Sequence, residues 1–179
     1  MKVVAYQTLE DRDNIDQIES EGPFICKRKG AWLGTGYYLW DTNFEWAIEW
    51  GQKAYTNYRK DFVIAECKID LSNECFDLVG SVQNQLDFIE AIETMIQSNK
   101  IKNKDETIVP NIIQFLKDLK IFPYKSIRAS DMRKTGDEIY YTTDRKEFMV
   151  LKQRVQICVI VKKYVVLFPF QVVYPEKYL

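Results

Sequence analysis

Glycines and aromatic residues are concentrated in one short segment whose composition suits a flat ligand. All four tryptophans and four of the seven glycines lie within 30–51, and residues 34–38 read Gly-Thr-Gly-Tyr-Tyr. Glycines let a backbone approach a ligand closely, and a tyrosine ring offers it a stacking surface. The segment therefore predicts either a site for an aromatic ligand or an aromatic core with a tight turn.

Several other kinds of chemistry are excluded by residue type. The Rossmann fingerprint needs a third glycine in register between a strand and a helix, and that register is missing here. The chain has no histidine, and its four cysteines form no Cys-x-x-Cys pair. Zinc sites, Ser-His-Asp triads and Cys-His dyads are therefore excluded, and no metal is expected.

Length, charge and hydropathy favour a single cytoplasmic domain over 1–179. The 25 Lys and Arg residues nearly balance the 26 Asp and Glu residues, so no global field attracts nucleic acid or anionic lipid. The N-terminus has no apolar signal core, and no apolar run is long enough to span a membrane. The cysteines are then expected to be small buried hydrophobes in a reducing compartment.

The first elements are predicted from hydrophobic pattern and capping residues. A strand over 3–8 precedes a helix that residues 11–14 can cap, that buries Ile15 and Ile18, and that stops at 22–23, which is Gly-Pro. The glycine-rich turn thus follows a strand and a helix.

A second helix and a strand are predicted after the glycine-rich turn. Thr42 and Glu45 have the spacing of a capping box, so the helix is expected to begin near Phe44 and to carry Ala47, Trp50 and Ala54. Residues 62–69 are rich in β-formers and predict a buried strand that ends in a turn at 70–73.

A helical hairpin is predicted over about 81–120. Apolar residues recur at helical spacing on both sides of a polar break at 99–106, and Pro110 stands near the start of the second helix. The expected apolar positions are Leu86, Ile89, Ile92, Met95 and Ile96 in the first helix, and Ile112, Ile113, Leu116 and Leu119 in the second.

The chain after Pro123 is predicted to form antiparallel β-structure. Turns are expected at 144–145 and 162–163. The β-rich runs are 138–142, 147–151, 155–161 and 164–173.

One motif resembles a known family. The run Leu33-Gly34-Thr35-Gly36-Tyr37-Tyr38-Leu39-Trp40, followed by Ala47-Ile48-Glu49-Trp50, is similar to a segment of the poly(ADP-ribose) polymerases and diphtheria-toxin-like ADP-ribosyltransferases. That family has Gly-x-Gly-x-Tyr-aromatic and then Ser/Ala-x-x-Tyr on the next helix. The resemblance implies that NAD binds as a substrate, with Gly34 and Gly36 in its turn and nicotinamide between Tyr38 and Trp50.

The start of the chain is similar to another motif of that family. Tyr6-Gln7-Thr8 stands where the family's first strand ends in His-Gly-Thr/Ser, which contacts the adenosine-side ribose and the nicotinamide amide. Gln7 replaces the histidine and Thr8 the glycine. The resemblance implies that Gln7 and Thr8 hold NAD by hydrogen bonds, since an amide both donates and accepts.

The catalytic position has three candidates. Glu147-Phe148-Met149-Val150-Leu151 is similar to the family strand Glu-Tyr-Ile-Val-Tyr, which opens with the catalytic glutamate. The resemblance implies that Glu147 binds a ribose hydroxyl and stabilises the positive charge that develops when the N-glycosidic bond breaks. If Glu147 belongs to the preceding strand, Gln153 or Gln156 takes the catalytic position, and a glutamine there holds the ribose with little transfer.

The resemblance also implies an α+β fold and a function. The expected fold has split, strongly bent antiparallel sheets with flanking helices, an inserted helical hairpin and NAD in the cleft. Arg128 or Arg133 is expected to contact the NAD pyrophosphate or an acceptor, whereas Lys27-Arg28-Lys29 is interpreted as a solvated basic face. The expected function is ADP-ribose transfer with nicotinamide release to an unidentified acceptor; the alternatives are an inactive module that binds NAD or ADP-ribose and a structural domain.

Overall fold

Four of the first five elements lie close to the predicted positions, and the sequence did not predict the strand at Tyr37–Asp41. The computed structural model describes residues 1–178 apart from 73, 121, 132–137 and 145. Short 3-10 helices lie at Thr56–Tyr58, Lys104–Glu106 and Glu176–Tyr178. The first elements are β1 (Lys2–Glu10), α1 (Ile15–Glu21), β2 (Tyr37–Asp41), α2 (Phe44–Ala54) and β3 (Phe62–Asp70).

The middle of the chain contains the two helices expected between 81 and 120, and also two strands that the sequence did not predict. The elements are β4 (Cys75–Asp77), α3 (Val82–Gln97), α4 (Val109–Asp118) and β5 (Ser126–Ser130). Strands β4 and β5 pair in parallel, with Phe76 opposite Ile127. The helical segment is therefore the crossover that two parallel neighbours require.

The last part of the chain is mostly antiparallel, as predicted, with shorter strands than expected. Lys162 and Lys163 open a one-turn helix instead of forming only a turn. Arg145, in the expected turn at 144–145, lies outside the described residues. The elements are β6 (Glu138–Tyr140), β7 (Phe148–Val150), β8 (Val155–Val159), α5 (Lys162–Val165) and β9 (Val166–Tyr174).

The strands form one large sheet and one small hairpin. In the described residues, seven strands follow the order β4-β5-β8-β2-β1-β3-β9, and β6 pairs only with β7. The α+β class is confirmed. The expected pair of split sheets is instead one sheet, whose two parts are connected only by the short pairing between β1 and β2. Strands β1 and β2 are in register at only two positions, Ala5 with Asp41 and Tyr6 with Trp40. Beyond Tyr6 they separate, which opens the sheet between β1 and β2.

Strand β3 is buried on both faces, which explains why its sequence alternates so weakly. Val63 and Ala65 belong to the core cluster that includes Ile18 of α1. Phe62 and Ile64 belong to a different cluster, together with Ala47 of α2. Since successive side chains of a strand point to opposite faces, α1 and α2 cover opposite faces of β3.

Local predictions were wrong at three places. Thr42 does not cap α2, because it has a left-handed backbone (φ 60°) and its hydroxyl donates to Asp41; Asn43 accepts from the Glu45 N–H instead, at 2.9 Å. In α3, Leu86 and Ile89 are about half exposed, and the buried positions are Ala91 and Met95. Leu119, which follows α4, is likewise exposed.

The described helices include none with the length and apolar character needed to cross a lipid bilayer. All four cysteines are free thiols. Burial raises the pKa of both Cys67 and Cys158 to about 12, so both stay protonated near neutral pH.

Candidate functional site

A cavity of about 640 Å³ lies where β1 and β2 separate. Its walls come from β1, the loop before β2, strands β2 and β8, helix α2 and the end of β5. It is large enough for a small organic ligand. The lining residues are Gln7, Thr8, Leu9, Phe24, Ile25, Cys26, Lys27, Arg28, Gly30, Ala31, Trp32, Tyr38, Trp40, Trp50, Tyr55, Asp131, Arg154 and Gln156.

Gln7 and Thr8 lie in the cavity wall, and both are already engaged by backbone. The Gln7 amide donates to the carbonyl of Phe24 at 2.8 Å and to that of Tyr38 at 3.3 Å, and accepts from the Phe24 N–H at 2.7 Å. The Thr8 hydroxyl donates to the carbonyl of Ala47 in α2 at 2.9 Å. Gln7 thus bridges the gap between the separating strands, and Thr8 fixes α2 against β1.

Tyr38 lines the cavity with its ring, while its hydroxyl holds the preceding turn. The hydroxyl accepts from the Leu33 N–H and donates to the Gly34 carbonyl, both at 2.8 Å. Burial is the main cause that raises the pKa of Tyr38, so the phenol stays protonated. Tyr38 therefore contributes a fixed aromatic surface and not an ionisable group.

Gly34 and Gly36 build the turn without lining the cavity. Gly34 has a left-handed backbone (φ +83°), which glycine adopts without strain. A Cβ on Gly36 would lie 2.5 Å from Sγ of Cys158 and 2.7 Å from the Val159 carbonyl oxygen. The second glycine is thus required for close contact between this turn and β8.

Replacing Gly36 by alanine is expected to destabilise the protein by about 1–3 kcal/mol, because an extra methyl group must displace packed atoms. Gly30→Ala is the matched control, since a Cβ there meets nothing within 4 Å. Urea unfolding followed by circular dichroism measures both free energies. Equal stability of the two variants would contradict the close packing of Gly36 on β8.

Arginines lie over two of the tryptophans that line the cavity. The Arg28 guanidinium carbon lies 5.1 Å from the centre of the Trp50 ring, and that of Arg154 lies 5.1 Å from the Trp40 ring. Trp40 and Trp50 are tilted neighbours with 6.5 Å between their ring centres. Trp50 therefore contributes to the cavity wall, but one of its faces carries a cation.

Gln156 reaches the cavity, and Glu147 does not line it. Gln156 lies on β8 opposite Trp40, and its side-chain oxygen accepts from Nε1 of Trp32 at 2.7 Å. Glu147 is exposed in the loop that connects β6 to β7, immediately before β7. Of the three candidates for the catalytic position, the one that lines the cavity is Gln156.

Arg154 and Asp131 were not predicted, yet both line the cavity. Arg154 is buried and pairs with Glu49 at 2.6 Å and with Asp131 at 3.1 Å. Burial would raise the pKa of Glu49, but hydrogen bonds from Lys53 and Arg154 outweigh that effect and lower it. The available sequence signal was spacing, because Arg154 immediately precedes β8 and is two residues from Gln156, the separation at which extended residues share a face.

Arg128 lies outside the cavity lining. It is half-buried on β5 and pairs with Asp41 at 2.7 Å and with Asp77 at 3.2 Å. Burial opposes its charged form, but these two carboxylates more than offset that penalty and raise the pKa of Arg128. Arg133 lies outside the described residues. The structure thus brings together Gln7, Thr8, Tyr38, Trp50 and Gln156, and places Gly34, Gly36, Arg128 and Glu147 elsewhere.

Comparison with protein-family models, curated proteins and solved structures finds no match to this chain.

Proposed function

We propose that this chain binds NAD or an ADP-ribose-bearing ligand in the cavity between β1 and β2, on a fold of the ADP-ribosyltransferase type. One observation carries the proposal. Five residues selected by the resemblance, from four separate elements, line a single cavity: Gln7, Thr8, Tyr38, Trp50 and Gln156. A buried aromatic core alone would not require the polar members of this set to share an open space.

The chemistry of the cavity favours binding over efficient transfer. Breaking the N-glycosidic bond of NAD develops positive charge on the ribose, which a neighbouring carboxylate stabilises. The resemblance assigns this work to a glutamate, but Gln156 has a neutral amide and Glu147 does not line the cavity. Gln156 can accept a hydrogen bond from a ribose hydroxyl without supplying the negative charge.

ADP-ribose transfer to an unidentified acceptor is the second candidate function. It is favoured by one observation, that Asp131 brings a carboxylate to the same cavity. Asp131 already pairs with Arg154 at 3.1 Å, which reduces its ability to stabilise a developing cation.

A titration with NAD tests the proposal directly. Trp32, Trp40 and Trp50 all line the cavity, so bound NAD is expected to quench tryptophan emission. An assay for released nicotinamide on the same samples separates the two candidate functions. Binding without release supports the module, binding with release supports the transferase, and no quenching with millimolar NAD or ADP-ribose contradicts both.

Trp50→Ala is expected to weaken NAD binding by about 1–3 kcal/mol, because the ligand loses an aromatic wall. Calorimetry should be used for this comparison, since the substitution removes part of the emission signal. Trp46→Phe is the control, because Trp46 does not line the cavity. An unchanged affinity in Trp50→Ala would assign Trp50 to packing alone.

A further inference from the structure

Among the described residues, two cations of the cavity wall have no carboxylate at ion-pair distance. Arg154 is paired with Glu49 and Asp131. In the part of the chain that the structure describes, neither Lys27 nor Arg28 makes an ion pair, although both line the cavity. The site therefore presents about two uncompensated positive charges to whatever enters it.

The loop that carries these cations is held in place from both sides. Phe24 exchanges two hydrogen bonds with the side-chain amide of Gln7, and the Cys26 N–H donates to the Gly36 carbonyl at 2.8 Å. The Arg28 carbonyl accepts from the Ala31 N–H at 3.2 Å, which closes the turn that follows. Lys27 and Arg28 thus extend from an anchored backbone at the cavity mouth.

The position of Arg28 is further defined by its aromatic neighbours. Its guanidinium lies over the Trp50 ring at 5.1 Å. Burial raises the pKa of Tyr55, another cavity residue, and the positive charge of Arg28 partly opposes that rise. The positive charge of Arg28 therefore acts on a group of the cavity lining, although the Arg28 side chain itself is exposed.

We infer that Lys27 and Arg28 form a diphosphate-binding wall, so that the ligand of this cavity carries a pyrophosphate linkage. The inference rests on the proposed function and deepens it by assigning the subsite for the charged part of the ligand. Arginine presents a planar fork that matches two phosphate oxygens, and lysine supplies a compact point charge. A diphosphate with two negative charges would neutralise the two cations.

The neighbouring Lys29 provides a matched control. It belongs to the same basic run, is exposed and does not line the cavity. The whole run was interpreted from sequence as a solvated face, and the structure places only Lys29 outside the cavity lining.

The experiment compares Lys27→Gln, Arg28→Gln and Lys29→Gln with the unmodified chain. Calorimetric titrations use ADP-ribose, inorganic pyrophosphate and adenosine, and thermal melts verify that the exposed substitutions leave the fold intact. Lys27→Gln and Arg28→Gln are each expected to weaken ADP-ribose and pyrophosphate binding about tenfold, as expected when a charge-assisted hydrogen bond is lost. Lys29→Gln should change these affinities by less than about twofold, because Lys29 does not line the cavity. Adenosine has no phosphate, so its affinity should be the same in all three variants.

The outcomes separate this inference from the proposed function. If the unmodified chain binds ADP-ribose and all three variants bind it equally well, the diphosphate wall is overturned while the proposed function stands. If pyrophosphate binds through Lys27 and Arg28 but NAD and ADP-ribose do not bind, the wall is supported and the proposed function fails. Absence of binding by both pyrophosphate and ADP-ribose overturns the wall.

Discussion

Replacing Gln156 by glutamate is expected to increase nicotinamide release from NAD by roughly 100-fold, the scale on which preorganised charges act in active sites. The substitution keeps the shape of the side chain and the oxygen that accepts from Nε1 of Trp32. It adds a negative charge on β8, inside the cavity, where a ribose cation would be stabilised. Chromatographic measurement of free nicotinamide over time gives the rate for the variant and the unmodified chain.

Two further variants make this result interpretable. Gln153→Glu adds the same charge at an exposed position just before β8 and should leave the rate unchanged. Glu147→Gln should also leave it unchanged, since Glu147 is exposed and does not line the cavity. A hundredfold fall in Glu147→Gln would instead return the catalytic role to Glu147. A Gln156→Glu variant that binds NAD without faster release would place Gln156 away from the reacting bond.

The sequence predicted those elements whose local signals are strong. Helix α2 begins at Phe44, as expected, although Asn43 and not Thr42 accepts its first hydrogen bond. Strand β5 was missed because Ser-Ile-Arg-Ala-Ser carries few β-formers; its pairing with β8 and the ion pairs of Arg128 hold it in the sheet. In α3 the side that faces the core includes Ala91. The prediction counted only large apolar residues, so it placed the buried face of the helix on a different side from the one observed.

The candidate site was predictable where its residues lie within the motifs that carry the resemblance, as Gln7 and Thr8 do. Tyr38 and Trp50 come from one local motif, and both reach the cavity. No local pattern shows whether the run before Lys152 or the run after it joins the main sheet. The structure assigns 148–150 to the hairpin and 155–159 to the main sheet, which brings Gln156 and not Glu147 into the cavity lining. Arg154 depends on carboxylates from two other elements, so its role could not be inferred from its neighbours in sequence.

Replacing Arg128 by methionine is expected to lower the free energy of unfolding by about 3–5 kcal/mol, because it leaves a buried carboxylate without its cation. The side chain of Asp41 is only 4% exposed, and Arg128 pairs with it at 2.7 Å. Asp77 loses a partner in the same change. Because Arg128 lies outside the cavity lining, NAD affinity of the folded variant should stay within a few-fold of the original. Urea unfolding and calorimetric NAD titration measure the two effects separately.

A second substitution at Asp41 tests the physical cause. Adding Asp41→Asn to Arg128→Met removes the uncompensated charge and should restore part of the lost stability, which a double-mutant cycle detects as a coupling energy. Arg12→Met is the surface control, because Arg12 is 69% exposed and its pair with Glu10 should contribute at most about 1 kcal/mol. If Arg128→Met instead unfolds at the original urea concentration but binds NAD poorly, Arg128 contacts the ligand, as the resemblance implies. A loss of stability with unchanged NAD affinity would assign Arg128 a structural role, in which its ion pairs connect β5 to β2 and β4.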